Sequence, residues 1–182
     1  MCLVSGVISF LKRIIGMNGD ETNETNETNE TNGTNEVLIP GLLVDMVERY
    51  EGVRVTAYKD PGRGVWTIGY GHTGPDVHEG MTITQEQAEE LLKGDLRKHV
   101  DLLLSASPIM ASVSENRLAA VGDFVFNLGI GNYRKSTFKK CIDAEDWENA
   151  ATECKKWIHG GGKVLPGLVK RRNEEAALLI SG

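Results

Sequence analysis

The sequence predicts an α+β fold: a small lobe with a short antiparallel sheet, a long connecting helix, and a larger helical lobe. Three observations point there. From Arg54 to Thr73 the apolar pattern shortens to β-type runs around the turn-forming string Pro61-Gly62-Arg63-Gly64. Thr84-Gln85-Glu86-Gln87 has the pattern of a capping box and opens a helix reaching about Ser105. Beyond Pro108 the apolar residues keep helical spacing to the end of the chain.

Bulk numbers fit that reading and narrow the function. At 182 residues the chain has room for one domain, or for two small lobes sharing a hinge. Apolar residues make up 40% and charged residues 25%, enough for a sizeable core in water. No run approaches the roughly 18 unbroken apolar residues of a membrane span. Cysteines stand at positions 2, 141 and 154, an odd number that builds no disulfide framework. Cys141 and Cys154 fall in helical stretches and read as buried reduced thiols. A net charge of −6 argues against general affinity for nucleic acid. Residues 115–182 hold eleven bases against nine acids. Arg134, Lys135, Lys139, Lys140, Lys155 and Lys156 read as a solvated helix face with a modest field for a polyanion.

In chain order, residues 1–19 come first. Leu3, Val4, Val7, Ile8, Leu11, Ile14 and Ile15 follow helical spacing, with Ser5, Ser9, Lys12 and Arg13 between them. That suits either a short amphipathic helix lying on a membrane or on a partner, or a weakly ordered terminus. The charges follow the apolar run and no small-residue cleavage pattern is present, so a cleaved export signal fits poorly. Residues 20–36 repeat the triplet Glu-Thr-Asn; with nothing apolar to bury, they read as a flexible linker. The Asn-x-Thr matches at Asn23, Asn26, Asn29 and Asn32 are a by-product of the repeat.

Residues 37–182 are the expected folded domain. Pro40 suits a first helical position, and Leu42, Leu43, Met46, Val47 and Tyr50 line one stripe ending at Glu51-Gly52. Seven of the 21 glycines lie between Gly52 and Gly80, where tight turns are expected. After the long helix, one helix runs from Ser112 or Ser114 to Gly129 and a short one starts at Ser136. Another covers about Asp143 to Trp157, and the last follows Pro166.

Several chemistries have no residues to carry them. His72, His78, His99 and His159 are scattered, with no His-x-x-x-His or Cys-x-x-Cys pair, so no metal site is expected. Gly161-Gly162-Lys163 lacks the Ser or Thr and the earlier glycine of a phosphate loop. No Gly-x-Ser-x-Gly elbow appears, and neither helical cysteine has thiol-protease flanks. What remains is Glu51 at a helix–sheet junction, Asp60 at the mouth of the Pro61–Gly64 turn, and Thr67 on the return strand. Each has a plain structural alternative: a solvated helix-end acid, a turn former and a β-branched strand residue.

Glu51-Gly52-Val53-Arg54, Ala57-Tyr58-Lys59-Asp60 and Trp66-Thr67-Ile68-Gly69-Tyr70-Gly71-His72-Thr73 resemble the active-site segment of the phage-type lysozymes. These are the endolysins of glycoside hydrolase family 24, the T-even phage lysozyme type. The similarity continues through Gly80-Met81-Thr82-Ile83-Thr84, Phe126-Asn127-Leu128-Gly129 and Gly161-Gly162-Lys163-Val164-Leu165-Pro166-Gly167-Leu168. It covers about Leu38 to Gly182. The family motif is a Glu, eight residues, an Asp or Cys, five residues and a Thr. Here Gly52 to Lys59 are the eight, and Asp60 takes the second position. Six residues, Pro61 to Trp66, separate Asp60 from Thr67, so the hairpin is one residue longer.

The resemblance implies a lysozyme-like fold and a muramidase that hydrolyses the β-1,4 bond between N-acetylmuramic acid and N-acetylglucosamine in peptidoglycan. Glu51 is then the general acid, while Asp60 and Thr67 position the attacking water, with inversion at the anomeric carbon. A carboxyl desolvated beside apolar neighbours holds its proton more readily, which suits the acid's place. No cofactor is called for. Tyr58, Gly71, His72, Asp95 and Asn127 are implied as supports for structure or substrate, Asp95 standing where the family carries an acid partnered to this histidine. The expected partner is bacterial peptidoglycan, met by a monomer with peripheral membrane contact through residues 1–16 and no nucleic acid. The protein is expected to be made in the host cytoplasm, to act on the periplasmic wall, and to cause lysis. Two rivals stay open: a lytic transglycosylase, which needs one acid and no water-positioning pair, and a non-catalytic wall-binding module.

Overall fold

A computed structural model describes residues 38–182 apart from Arg63. The expectations for residues 1–19 and 20–36 lie outside the described residues. Helix α1 (Gly41–Glu51) is entered through Pro40, which stands at the N-cap instead of the first helical position. Leu43, Met46 and Val47 are fully buried, the narrow face that spacing of three and four residues produces. Gly52 ends the helix with φ of 66°, its N–H donating to the Glu48 carbonyl at 3.1 Å.

Strands β1 (Arg54–Lys59) and β2 (Trp66–Gly69) pair antiparallel, with Tyr58 opposite Thr67 and Lys59 opposite Trp66. The other edge of β1 is covered too. Ala57 N–H donates to the Met81 carbonyl and Ile83 N–H to the Val55 carbonyl, both at 2.9 Å. Residues 81–83 thus close an edge that a two-stranded ribbon leaves open. Helix α2 (Gln85–Ala106) begins at a complete capping box. Gln87 N–H donates to Thr84 Oγ1 at 3.2 Å, and Thr84 N–H donates to Gln87 Oε1 at 2.8 Å. One face of α2, Ala88, Leu92, Leu96, Val100 and Leu103, is buried.

A 3-10 turn (Pro108–Ala111) leads to α3 (Glu115–Leu128), α4 (Ile130–Lys135), α5 (Thr137–Asp143), α6 (Trp147–Cys154) and α7 (Pro166–Ser181). Helix α3 is the centre of the core: every residue from Leu118 to Val125 is buried. It packs against α1 closely enough that a Cβ at Gly122 would stand 2.8 Å from Leu43 Cδ2. Phe124 meets Phe138 at 4.5 Å and Trp157 at 5.6 Å between ring centroids. The Tyr133 hydroxyl reaches Ser107 Oγ at 2.8 Å, and that serine donates to Asp143 Oδ1 at 2.5 Å. Buried polar groups at the α2–α5 boundary are thereby satisfied.

The architecture is the expected α+β one, but the helical lobe departs from the expectation in its details. Gly129, with φ of 82°, ends α3 and starts the short α4, a break that apolar spacing alone does not mark. Helix α6 is shorter than Asp143–Trp157: Glu145 takes a positive φ of 55°, and Asp146 caps the Asn149 N–H at 3.2 Å. The stretch after Pro108 is also not all helical. Strands β3 (His159–Gly160) and β4 (Lys163–Val164) pair across Gly161 and Gly162, whose φ values of 57° and 77° are those of a tight hairpin turn. Cys154 is buried and Cys141 only half-buried; both are free thiols. No helix among the described residues is long and apolar enough to cross a membrane.

Candidate active site

Glu51 is the last residue of α1, where the carbonyl end of the helix dipole disfavours a carboxylate. A guanidinium supplies the missing positive charge. Arg171 Nη1, on α7, donates to Glu51 Oε1 at 2.6 Å. The same arginine grips Asp123 of α3 with two bonds, Nε to Oδ2 and Nη2 to Oδ1, both 2.8 Å. Arg171 and Asp123 are 4% and 0% exposed in their side chains, and Glu51 is 28% exposed. Burial works against the arginine's charge, but the Asp123 fork and Glu51 outweigh it and raise its pKa. So Glu51 stands at the open end of a buried ion network. The sequence reading set Glu51 beside apolar neighbours; the structure sets it against a cation, because the last helix returns along α3 and delivers Arg171.

Neighbouring bonds fix the end of α1. Tyr50 Oη donates to Glu174 Oε2 at 2.5 Å, and Arg49 Nη2 donates to Glu174 Oε1 at 2.6 Å. Burial and the bond to Glu174 push the Tyr50 hydroxyl's pKa up. The Arg171 guanidinium also lies 5.1 Å from the Tyr50 ring centroid.

Two cavities meet at Glu51. The larger, about 590 Å³, is lined by Glu51, Tyr70, Gly71, Thr73, Asp95, Lys98, His99, Phe126 and Asn127. The smaller, about 270 Å³, is lined by Tyr50, Glu51, Asn127, Leu165, Gly167, Leu168 and Arg171. Glu51 and Asn127 border both. Gly71 has φ of 97° with nothing within 4 Å of where a Cβ would stand. Backbone conformation, not space, therefore requires glycine there.

His72 sits behind that turn. Its Nδ1 is 2.6 Å from Asp95 Oδ2 and its Nε2 3.2 Å from Asp76 Oδ2. Burial opposes a charged ring, but the bonds to Asp95 and Asp76 outweigh it, and the His72 pKa is raised. Lys98 Nζ adds a bond to Asp95 Oδ1 at 3.1 Å. His99, named at first only as a scattered histidine, packs against Phe126 in a tilted arrangement with ring centroids 5.1 Å apart. Its Nδ1 is 2.7 Å from the Asp95 carbonyl. Among the described residues no group of three or more His, Cys, Asp and Glu could hold a metal ion.

Asp60, Thr67 and Tyr58 do not line either cavity. Asp60 is half-buried at the hairpin, where its Oδ1 accepts the Gly62 N–H at 2.9 Å and its carbonyl accepts the Gly64 N–H at 2.7 Å. Thr67 is fully buried, its hydroxyl 3.4 Å from the Val65 carbonyl. Tyr58 lies under the Arg54 guanidinium at 4.4 Å. The turn-forming role open to Asp60 is thus present in the structure.

Arg171 and Asp123 were missed as site residues, although both left a signal. Asp123 is the lone acid in the apolar run Ala119-Ala120-Val121-Gly122-Asp123-Phe124-Val125. Arg171, Arg172 and Glu175 share the helix face of buried Ala176 and Leu179. Charges on a buried stripe must be paired, and that pairing is the clue.

With this geometry in hand, comparison with known proteins fixes the family. The chain matches the phage lysozyme family over residues 48–175. An endolysin of Bacillus phage B103 is 38% identical over 140 residues, 76% of this chain and 52% of that protein. A SAR-endolysin of Bacteriophage PS119 is 37% identical over 133 residues, 72% of this chain and 77% of that one. The solved muramidase domain of SpmX from Asticaccaulis excentricus superposes with a TM-score of 0.72 at 30% identity, covering 80% of this chain and 99% of the domain. The chain belongs to the phage lysozyme family, and its fold is lysozyme-like. It spans about half the length of the Bacillus phage endolysins that it matches.

Proposed function

We propose that the protein is an endolysin of the muramidase type, hydrolysing the β-1,4 bond between N-acetylmuramic acid and N-acetylglucosamine in peptidoglycan. The observation that carries this reading is Glu51 at the meeting of two cavities, held by a buried Arg171–Asp123 pair. Counting charges explains why that pair suits a general acid. With Glu51 protonated, Arg171 and Asp123 neutralise each other, so no buried charge is left uncompensated. Glu51 is assigned the role of passing a proton to the leaving glycosidic oxygen. Asp60 and Thr67 are assigned to the attacking water, with inversion at the anomeric carbon. No cofactor enters these steps.

A second reading is a lytic transglycosylase, which would use Glu51 alone and needs no water-positioning pair. Product analysis separates the two: hydrolysis leaves free reducing ends, and the rival leaves an anhydro ring. A turbidity assay on permeabilised Gram-negative cells separates both from a non-catalytic wall-binding module. Clearing of the suspension is expected, and an unchanged suspension contradicts the enzyme reading.

The N-terminal part belongs to the same proposal. Residues 1–16 are assigned a peripheral contact with the inner membrane, with residues 20–36 linking them to the catalytic domain. A SAR-endolysin among the relatives makes an export anchor the competing account, which Lys12 and Arg13 oppose. The domain from residue 37 onward acts on the periplasmic wall as a monomer.

A further inference from the structure

Arg172 is a fully buried cation that the proposed reaction does not use. Its side chain is 0% exposed, and its guanidinium lies 5.0 Å from the Phe124 ring centroid. Nη2 donates to Glu175 Oε1 at 2.6 Å and to Asn127 Oδ1 at 3.1 Å. Nε and Nη1 have no acceptor among the described residues. Glu175, itself 1% exposed in its side chain, is held from behind by the Cys154 thiol, which donates to Oε2 at 3.0 Å. An apolar side chain of similar volume would fill this place without the cost of desolvating a cation and two unpaired donors. Stability alone does not explain the arginine.

Its contact with Asn127 fixes a property of the cleft. Arginine carries no acceptor, so the Asn127 atom that it touches must be the carbonyl oxygen. The amide nitrogen then faces away from Arg172. It donates to no acceptor among the described residues, and Asn127 borders both cavities beside Glu51.

We propose that Arg172, held by Glu175, is a positioning residue that presents the Asn127 amide nitrogen to the cleft as a donor-only group. That donor selects an acceptor-only oxygen of the glycan, the carbonyl of an N-acetyl group beside the bond that is cut. The inference builds on the glycan-cleaving reading above. Sugar hydroxyls donate or accept and need no fixed partner, whereas an amide carbonyl only accepts. A site built around such a bond disfavours a ligand lacking the matching group, because the donor that the ligand covers is then left unpaired.

The test measures kcat/KM on N-acetylated peptidoglycan and on the same wall after chemical de-N-acetylation. The wild type is expected to prefer the N-acetylated wall by at least about tenfold. Asn127→Asp keeps the shape and the acceptor for Arg172 but replaces the donor with a second acceptor. Its preference should collapse while its melting temperature holds. Arg172→Lys, which also carries only donors, should keep the preference. Arg172→Gln, which can donate or accept, should lose it, with KM on the N-acetylated wall rising more than kcat falls. If the Arg172 variants fail to fold, Asn127→Asp decides alone. A wild type that cuts both walls equally, or an Asn127→Asp protein that keeps the preference, overturns the proposal. A wild type that cuts neither wall overturns the glycan-cleaving reading and this inference with it.

Discussion

At the residue scale, the buried Asp123 balances the charge of the arginine that holds Glu51. Asp123→Asn removes the charge that balances Arg171 while keeping most of the shape. Taking one partner from a buried pair costs about 3–5 kcal/mol, so denaturant unfolding should show a loss of that order. The two-bond grip that sets Arg171 beside Glu51 would also be reduced, and wall cleavage should fall further than the loss of folded protein explains. His72 gives a second prediction. Its raised pKa means that its contribution is fully present below the ordinary value of about 6.5 and is lost as pH rises through the folded-state pKa. The Asp76 pKa is lowered, chiefly by the bond from His72, so its contribution is lost as pH falls through that lowered value. The cluster helps most between those limits. Asp95→Asn should lower the His72 pKa, read by NMR titration; an unchanged titration would contradict the pairing. Glu51 and His72 stand in dense local motifs, whereas Asp95 is singled out only through the family resemblance, and the structure pairs it with His72. Asp123 and Arg171 meet 48 residues apart, and no local pattern encodes that meeting.

At the element scale, helix α3 is the one against which α1, α2, α4 and α7 pack, and its Phe124 sits among Tyr133, Phe138 and Trp157. Phe124→Ala should cost about 3–5 kcal/mol, the loss of buried area plus a cavity that these rigid rings cannot fill. A loss below about 1 kcal/mol by denaturant unfolding would show that the cluster collapses around the gap. The elements that the sequence announced are those with strong end signals. The Thr84 box, Ser114 before α3, Ser136 before α5 and Pro166 at the head of α7 each mark a helix start. Where the signal is a backbone angle, apolar spacing fails. Gly129 splits α3 from α4, Glu145 delays α6, and the Gly161-Gly162 turn makes a hairpin from residues too few to show a strand period.

At the scale of the whole molecule, the chain joins a domain of known family to an N-terminal stretch of different composition. If residues 1–16 provide membrane contact, full-length protein should sediment with membranes, and protein beginning at Leu38 should stay in the soluble fraction. Both should cleave purified wall at the same rate. Equal partitioning of the two would remove the tether from the account. The central claim concerns Glu51. Purified peptidoglycan digested side by side by wild type and Glu51→Gln, with new reducing ends counted, tests it most directly. The glutamine keeps the bond from Arg171 but has no proton to give, so the rate should fall by on the order of 10²–10⁴-fold with the melting temperature unchanged. Reducing ends appearing at a near wild-type rate would contradict the assignment of Glu51 as the acid.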